Sequence, residues 1–467
     1  MSGQTLFAKL WEDHQVASVA GDRAVMVIDR LMLHEITGGY ALREMMRRGE
    51  RPLLHPSQVF AVADHAISTA PDRGPFDSPS KGGSEMIASL AAGAQTFGFD
   101  YASPNSLAHG IVHVAAPEQG FVMPGMTLVC GDSHTCTNGA FGALAFAAGS
   151  GEIASVLRYG ALIVQKAKTL RVTLNGRLGE RVYSKDIALG LLAKYGVRLA
   201  LGYAIEFFGE AVDALSIEGR MTLCNMAAEM GTRYALIAPD NTTYDYLAAH
   251  SRLDDDALRA SAVHWPRLHS DDDARFDKEI TFHADTLTPQ VTWGTSPMHA
   301  VSLCDKVPEP DVGDDPVAAQ MARRALEYMA LKPGTAMQSI PIDAAFIGSC
   351  TNARLSDLRA AAEILRGRKI APGVQAMCTP GSMAVRAAAE AEGLHLIFED
   401  AGFSWRKSGC SNCAGREGPI WQGKRVISST NRNFENRQGS GTRTHLASPA
   451  TVAASAVTGY LTDPREL

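Results

Sequence analysis

The sequence lacks any apolar run near the roughly 18 residues that a membrane-spanning helix needs. It also lacks excess positive charge, because 44 lysines and arginines stand against 50 acidic residues and the formal net charge is −6. This composition argues against nucleic-acid binding, and an anionic ligand must be bound by a few local cations. The opening MSGQTLFAKLWEDHQV carries acidic residues, which secretory and transit peptides avoid. We expect a cytoplasmic protein that binds neither membrane nor nucleic acid.

Cysteine is sparse as well: eight residues are spread over 467 positions, without the dense spacing of a disulfide-rich secreted domain. In a long cytosolic chain, such usage favours metal binding or catalysis over disulfides. One pair, Cys410 and Cys413, has the spacing Cys-x-x-Cys. This pair is the first candidate for a functional site.

Strand-like apolar runs alternate with alanine-rich helical stretches, which is typical of an α/β fold. Near the start of the last third, Asp314 and Asp315 form an acidic cap before Pro316, and the apolar residues of VAAQMARRALEYMAL recur at helical spacing. Residues 344–348 then have the composition of a buried strand. This order predicts a helix followed by a strand.

The helix after that strand is expected to have Ser356 as its N-cap and to end near Gly367. In open α/β sheets, the loops beyond the carboxyl ends of the strands form the ligand crevice. Cys350 lies in such a loop. It is therefore a second candidate for the site.

Changes of composition suggest two domain boundaries. The segment KAKTLRVTLNGRL is β-rich and basic after a long helical stretch, and TPQVTWGTSP has the prolines and glycine of a linker. We predict three domains at 1–168, 169–286 and 287–467, the last of which carries the cysteine pair.

The cysteine pair has several explanations. A structural zinc site needs a second close pair of ligands, which the last predicted domain does not contain. A redox dithiol should open a helix directly after a strand, but Gly409 and loop-like residues surround this pair. An iron–sulfur cluster with three thiolates leaves one iron open as a Lewis acid, and Cys350 is the natural third ligand. Inert buried cysteines remain a fourth explanation.

Wider motifs supply a resemblance. FIGSCTN, GCSNC and STNRNFENRQG occur in this order, after ADH and GDSHT upstream. With LWEDHQV, IDRLMLHEIT, SIEGRMTLCNMAAEMG and PQVTWGTSP, they make nearly the whole chain similar to the aconitase superfamily, and most closely to large subunits of 3-isopropylmalate dehydratase. The resemblance implies three α/β/α domains around a central cleft, without the fourth, swivelling domain.

The resemblance also implies a cofactor. It implies one [4Fe–4S] cluster per subunit, bound by Cys350, Cys410 and Cys413, with the fourth iron open to the substrate.

Six catalytic residues follow from the same resemblance: Asp64, His65, His113, Asp132, His134 and Glu206. Asp64 orients and charges His65, which serves the leaving hydroxyl. His113 and Asp132 form a hydrogen-bonded pair. Taken singly, a histidine in an apolar run such as GIVHV is more often a core residue.

The remaining implied residues contact the substrate. Ser133 and His134 lie at the substrate and at the water on the open iron, and Glu206 contacts the hydroxyl there. Arg432 and Arg437 lie in NRNFENRQG, a loop-forming segment. Because guanidinium groups bind carboxylates bidentately, a pair of arginines suits a dicarboxylate.

Two partners are expected, a dicarboxylate substrate and a second chain. Relatives with a swivelling domain take from it the serine that abstracts the carbon proton, and no such base is left over in this sequence. The resemblance therefore implies a separate small subunit and a heterodimer.

The expected activity is that of a hydro-lyase that interconverts 2-isopropylmalate and 3-isopropylmalate in leucine biosynthesis. Three departures from the family pattern concern the substrate: YGVRLALG replaces a glycine-rich run, the turn after the cysteine pair reads CAGREGPI, and Ala353 replaces a serine. A related hydratase of a citraconate or 2-methylmalate type diacid is therefore the alternative. An iron-responsive RNA-binding protein and a zinc scaffold are remote alternatives.

Overall fold

The computed structural model describes residues 3–251, 253–310, 315–418 and 420–467. The chain forms two compact units. Unit 1 comprises Met1–Ile67, Gly74–Gly176 and Ala200–Phe282, and unit 2 comprises Ser68–Arg73, Arg177–Leu199 and His283–Leu467. The three predicted domains stay a prediction.

The strands are β1 (Gln15–Val19), β2 (Arg23–Val27), β3 (Arg30–Leu33), β4 (Val59–Val62), β5 (Asp100–Ala102), β6 (Thr127–Cys130), β7 (Leu144–Ala147), β8 (Ala161–Gln165), β9 (Lys168–Asn175), β10 (Tyr203–Phe208), β11 (Tyr234–Leu236), β12 (Lys278–His283), β13 (Gln290–Thr292), β14 (Ala300–Ser302), β15 (Ala344–Ile347), β16 (Gln375–Cys378), β17 (Phe403–Trp405), β18 (Arg425–Ser428) and β19 (Arg443–Leu446). The helices are α1 (Leu6–His14), α2 (Gly38–Arg48), α3 (Gly83–Phe97), α4 (Val112–Glu118), α5 (Ser150–Tyr159), α6 (Ser184–Tyr195), α7 (Glu210–Asp213), α8 (Ile217–Ala227), α9 (Asn241–His250), α10 (Asp255–Ala262), α11 (Pro316–Met329), α12 (Leu355–Leu365), α13 (Met383–Ala391), α14 (Leu394–Ala401) and α15 (Pro449–Thr458).

Unit 1 is built on a five-stranded parallel sheet in the order β5-β4-β3-β6-β7. Strands β4 and β6, VFAV and TLVC, are buried along their whole length, as parallel strands covered on both faces are. A second sheet has the order β11-β10-β9-β12, and β1, β2 and β8 form a small antiparallel sheet. The first sheet positions the acid–base residues described below.

Unit 2 is built on a second five-stranded parallel sheet, in the order β17-β16-β15-β18-β19. Its central strand β15 is fully buried, and Phe346, Met377 and Val426 form a core cluster with Trp421. The predicted α/β class is therefore confirmed. In the parts of the chain that the structure describes, no helix combines the length and the apolar character needed to cross a membrane.

Local predictions in the last third are confirmed with one exception. Asp315 caps α11, since its carboxylate accepts the N–H groups of residues 317 and 318, and Pro316 is the first helical residue. Asp314 lies outside the described residues. The prediction of Ser356 as the N-cap of the next helix is wrong. Helix α12 begins at Leu355, because the Asp357 carboxylate accepts the backbone N–H of residue 354.

The prediction that TPQVTWGTSP is a linker is also wrong. Gln290–Thr292 forms β13, which pairs with β14 in an antiparallel hairpin and is buried throughout. The N–H of Gln290 donates to the Asp186 carboxylate (2.8 Å). These partners hold a proline- and glycine-flanked segment in the core.

Candidate active site

The acid–base residues of unit 1 follow three adjacent strands of its parallel sheet. His34 and Glu35 follow β3, Asp64 and His65 follow β4, and Asp132 follows β6. The carboxyl ends of parallel strands meet at one sheet edge, and there the structure brings these side chains together.

His65 lies between two carboxylates. Its Nδ1 is 2.5 Å from Oδ1 of Asp64, and its Nε2 is 3.0 Å from Oδ2 of Asp132. Burial alone raises the pKa of Asp64, but the charge and hydrogen bond of His65 outweigh it, so this pKa lies below its usual value. The arrangement favours the protonated form of His65.

Asp132 also faces two further histidines. Its Oδ1 is 3.2 Å from Nδ1 of His134 and 3.6 Å from Nε2 of His113, a fully buried residue of α4. Burial opposes ionisation of Asp132, yet the three histidines around it hold its pKa well below the usual value. Ser133 is exposed, and its Oγ lies 3.3 Å from Nδ1 of His134.

Glu229 belongs to this group although sequence reasoning missed it. Its Oε1 lies 3.0 Å from Nε2 of His134. The signal was an acidic residue in the apolar context MAAEMG, within a motif already associated with the family. His134, like His65, thus has a carboxylate beside each ring nitrogen.

Glu206 has different surroundings. It lies on β10 and is 2% exposed. Its Oε1 accepts the N–H of Phe7 (3.0 Å) and its Oε2 accepts the hydroxyl of Ser270 (2.5 Å). Burial raises the pKa of Glu206, while these hydrogen bonds oppose the rise. The structure places this carboxylate at the start of α1, and its predicted contact with substrate stays a prediction.

His34 and Glu35 were likewise not predicted. The side chains of His34, Glu35, Asp64 and His65 lie within 4.8 Å of one another, a spacing that a metal ion could use. However, Glu35 accepts the backbone N–H groups of residues 64, 65 and 66, and the His34 ring packs against His65 in a tilted arrangement with centroids 4.5 Å apart. We interpret the group as a hydrogen-bonded network. Its signal was a His-Glu pair directly after a buried strand.

The three candidate cluster ligands lie in unit 2. Cys350 follows β15, Cys410 caps the short 3-10 turn Ser411–Ala414, and Cys413 lies within that turn. All three are free thiols, 7–8% exposed, and the N–H of Cys413 donates to the carbonyl of Cys410 (3.0 Å). Ser349 and Ser411 next to them have φ of +82° and +50°, a backbone conformation that costs energy for residues other than glycine. The surrounding loops hold these turns.

One side-chain amide contacts two of the three sulfurs. Nδ2 of Asn431 lies 3.5 Å from Sγ of Cys350, and its Oδ1 lies 3.9 Å from Sγ of Cys413. Nη2 of Arg437 lies 3.8 Å from Sγ of Cys413. Arg432, half-buried, adjoins Asn431 on the same loop. The structure thus brings both predicted arginines to the loop that contacts the cysteines.

Two buried cations support these loops, and neither was predicted. Arg354 donates to the carbonyls of Cys350 and Thr351, each at 2.7 Å. Lys185, on α6, donates to the carbonyl of Ser429 (3.1 Å) and to that of Thr430. Burial lowers the pKa of Lys185 to about 8, against the opposing charge of the cysteine sulfurs. Cations around grouped thiols fit the negative charge of a thiolate-bound cluster.

The family model described as "Aconitase family (aconitate hydratase)" matches residues 8–459. The chain belongs to the aconitase family. It is thus a hydro-lyase of that family, whose members typically bind a [4Fe–4S] cluster, and free cysteines are present. The chain is also similar to the solved structure of Thermococcus kodakaraensis aconitase X in its holo form. That similarity has a TM-score of 0.48 and 12% identity, and it covers 98% of this chain and 92% of the other.

For an aconitase-family hydro-lyase, the two groups provide complementary chemistry. The histidines and carboxylates of unit 1 can hold and move protons, and the thiols of unit 2 can bind iron. Asp64, His65 and Asp132 in unit 1 and Cys350 in unit 2 follow parallel strands, where such folds place their ligands.

Proposed function

We propose that this chain is the large subunit of a 3-isopropylmalate dehydratase, which interconverts 2-isopropylmalate and 3-isopropylmalate in leucine biosynthesis. A small subunit completes the site as a heterodimer, and the enzyme is cytoplasmic. The observation that carries the proposal is His65 between Asp64 and Asp132, in a chain whose Asn431 also contacts the sulfurs of Cys350 and Cys413. The family motifs along nearly the whole sequence support the choice of substrate.

Cys350, Cys410 and Cys413 are the residues that would hold the [4Fe–4S] cluster. When bound, the cluster supplies a Lewis-acidic iron for the substrate hydroxyl. Asn431 and Arg437 donate toward the sulfurs, and Arg354 fixes the loop of Cys350. These contacts keep the thiolate charge compensated.

The histidines act as proton donors in this proposal. Loss of hydroxide from a 2-hydroxy acid needs a proton on the leaving oxygen. His65 and His134 each lie between two carboxylates, so each imidazole holds a proton that the leaving group can accept. We assign to Glu229 the carboxylate role beside His134, while Glu206 keeps its predicted contact with the substrate hydroxyl.

Arg432 and Arg437 would bind the substrate carboxylates, and exposed Ser133 would hydrogen-bond to the substrate. The base that removes the carbon proton would come from the small subunit. Without that subunit, half of the acid–base machinery is missing, and the chain alone should be nearly inactive.

Anaerobic co-expression with the small subunit tests the substrate. Formation of the unsaturated diacid is followed by absorbance with 2-isopropylmalate and, separately, with 2-methylmalate. Turnover of 2-isopropylmalate is expected. Turnover of 2-methylmalate alone would reject the leucine assignment and favour the related hydratase, which the bulky YGVRLALG segment and Ala353 suggest as the alternative.

Serine replacements test the cluster ligands in the same complex. Cys350→Ser, Cys410→Ser and Cys413→Ser should each lose iron and sulfide together with activity, since three thiolates leave no spare ligand. The control, Cys304→Ser, changes an exposed thiol of unit 2 and should keep both. Undiminished iron and turnover in any of the three variants would contradict the assignment, and stoichiometric zinc without iron would favour a structural zinc site.

A further inference from the structure

We propose that Glu35 is a positioning residue of the acid–base group, whose carboxylate fixes the turn that carries Asp64 and His65. The inference rests on the proposed function only in giving that turn a catalytic task. The hydrogen bonds that carry it are a property of the folded chain.

Three consecutive backbone N–H groups donate to this one carboxylate. Oε2 of Glu35 accepts from Asp64 (3.1 Å), and Oε1 accepts from His65 (2.8 Å) and from Ala66. The Glu35 side chain is fully buried. Successive N–H groups around an anion form a concave binding site in which charge-assisted hydrogen bonds are strong. The turn after β4 is therefore built around the negative charge of Glu35.

The sheet explains why Glu35 reaches this turn. Strands β3 and β4 are parallel neighbours, with Leu33 opposite Ala61. Glu35 lies two residues beyond the end of β3, and Asp64 lies two residues beyond the end of β4. Because both residues lie two positions beyond neighbouring parallel strands, the Glu35 carboxylate lies beside the backbone of the turn that carries Asp64.

The position of the turn matters because His65 has little freedom. Its two nitrogens contact Asp64 at 2.5 Å and Asp132 at 3.0 Å. A shift of about 1 Å at a catalytic group can cost about a hundredfold in rate. Glu35 does not need to touch the substrate to affect kcat, because it holds the backbone of the residue that does.

The charged and titratable groups around His65 include His34, Asp64 and Asp132. Tyr101 is close enough to Glu35 to interact with its charge. Burial and then the charge of Glu35 raise the pKa of Tyr101 to about 12.

Glu35→Gln isolates the effect. The variant keeps the shape of the side chain but replaces one carboxylate oxygen by an amide NH₂, which cannot accept from the turn. The matched control is Glu152→Gln, because the Glu152 carboxylate also accepts a backbone N–H, that of Gly149 at the start of α5 (2.7 Å), away from the acid–base group. Both variants are studied in the full two-subunit complex.

Hydrogen exchange gives a readout that does not depend on turnover. We expect Glu35→Gln to exchange faster in peptides covering residues 60–67 and at the wild-type rate elsewhere in unit 1. We also expect kcat to fall about tenfold or more while KM stays within about threefold. Glu152→Gln should show neither change.

Unchanged exchange at residues 60–67 would overturn the proposal, and so would an unchanged kcat per folded molecule. A general loss of protection across unit 1 would mean that Glu35 serves only stability, which also overturns it. If the wild-type complex lacks hydro-lyase activity with either diacid, the proposed function fails, while the local exchange result still tests whether Glu35 fixes the turn.

Discussion

Glu229 lies against His134, with Oε1 3.0 Å from Nε2 of the ring. Because Asp132 faces the other ring nitrogen at 3.2 Å, His134 repeats the arrangement of His65, an imidazole between two carboxylates. Nearby negative charge favours the imidazolium form. Unit 1 therefore presents two imidazoles that each lie between two carboxylates, and the proposed function assigns proton donation to both.

Removing the charge of Glu229 should affect catalysis more than folding. Glu229→Gln keeps the side-chain shape but no longer stabilises a protonated His134. Proton donation by a positioned group contributes about 10² to 10⁴ in rate, so we expect kcat to fall about a hundredfold with little change in Tm. Steady-state kinetics of the two-subunit complex measure this.

Glu206→Gln is the matched comparison for that experiment. Both glutamates lie in apolar stretches of unit 1, but Glu206 accepts hydrogen bonds from Phe7 and Ser270 at the start of α1. We expect this variant to change Tm and to keep kcat per folded molecule. The opposite pattern, with Glu206→Gln inactive and Glu229→Gln active, would support the contact with the substrate hydroxyl that the sequence predicts for Glu206.

Lys185 should matter for retention of the cluster. Its ammonium group donates to the carbonyls of Ser429 and Thr430, and the next residue, Asn431, contacts two cysteine sulfurs. Lys185→Met keeps most of the apolar stem, but it leaves two buried carbonyls without this donor and removes a positive charge. We expect iron to be lost to a chelator several-fold faster than from the wild type.

The control for Lys185 is Lys194→Met, a charge removal on the exposed side of the same helix. Its rate of iron loss should match that of the wild type. Equal rates for Lys185→Met and the wild type would show that the buried ammonium does not support the cluster loop.

The position of Asp64, His65, Asp132 and Cys350 at the edges of the two sheets could be predicted from sequence because these residues follow short apolar strands. ADH, GDSHT and GSCTN each come directly after such a strand, and a parallel sheet brings strand ends to one edge. His34 and Glu35 obey the same rule after β3. They could have been found by applying it to every buried strand.

Other features depend on partners distant in sequence. Glu206 and Glu229 are both acids in apolar surroundings, and only the fold shows that the second one contacts His134. In the sequence, Lys185 looks like an ordinary helix residue. Only the fold shows that it binds the carbonyls of Ser429 and Thr430, which lie 244 and 245 residues later. Local pattern holds no information about such contacts.

The prediction that TPQVTWGTSP is a linker was wrong for the same reason. Its proline and glycine predict a linker, but Asp186 and His445 bind its backbone at Gln290 and Thr292. Satisfied backbone groups allow a loop-like sequence to be buried.

His445 should make the stability of unit 2 sensitive to acid. Its Nδ1 lies 2.6 Å from the carbonyl of Thr292 and its Nε2 lies 3.0 Å from Nη1 of Arg425, so the neutral ring donates to the first and accepts from the second. Burial and then the charge of Arg425 lower the pKa of His445 to about 3. Protonation would turn the second nitrogen into a donor facing another donor.

The sign of the effect follows from this depressed pKa. Between about pH 6.5 and about pH 3, the unfolded chain binds a proton at this site and the folded chain does not, so stability falls as the pH falls. The slope approaches about 1.4 kcal/mol per pH unit well below pH 6.5.

In His445→Gln this contribution is absent, so the Tm of the wild type should fall more than that of the variant between pH 7 and pH 5. Exposed His283→Gln serves as the control and should follow the wild type. A parallel decline of Tm in the wild type and His445→Gln would show that His445 already takes up its proton in the folded state, in which case the hydrogen bond from Arg425 does not hold the ring neutral.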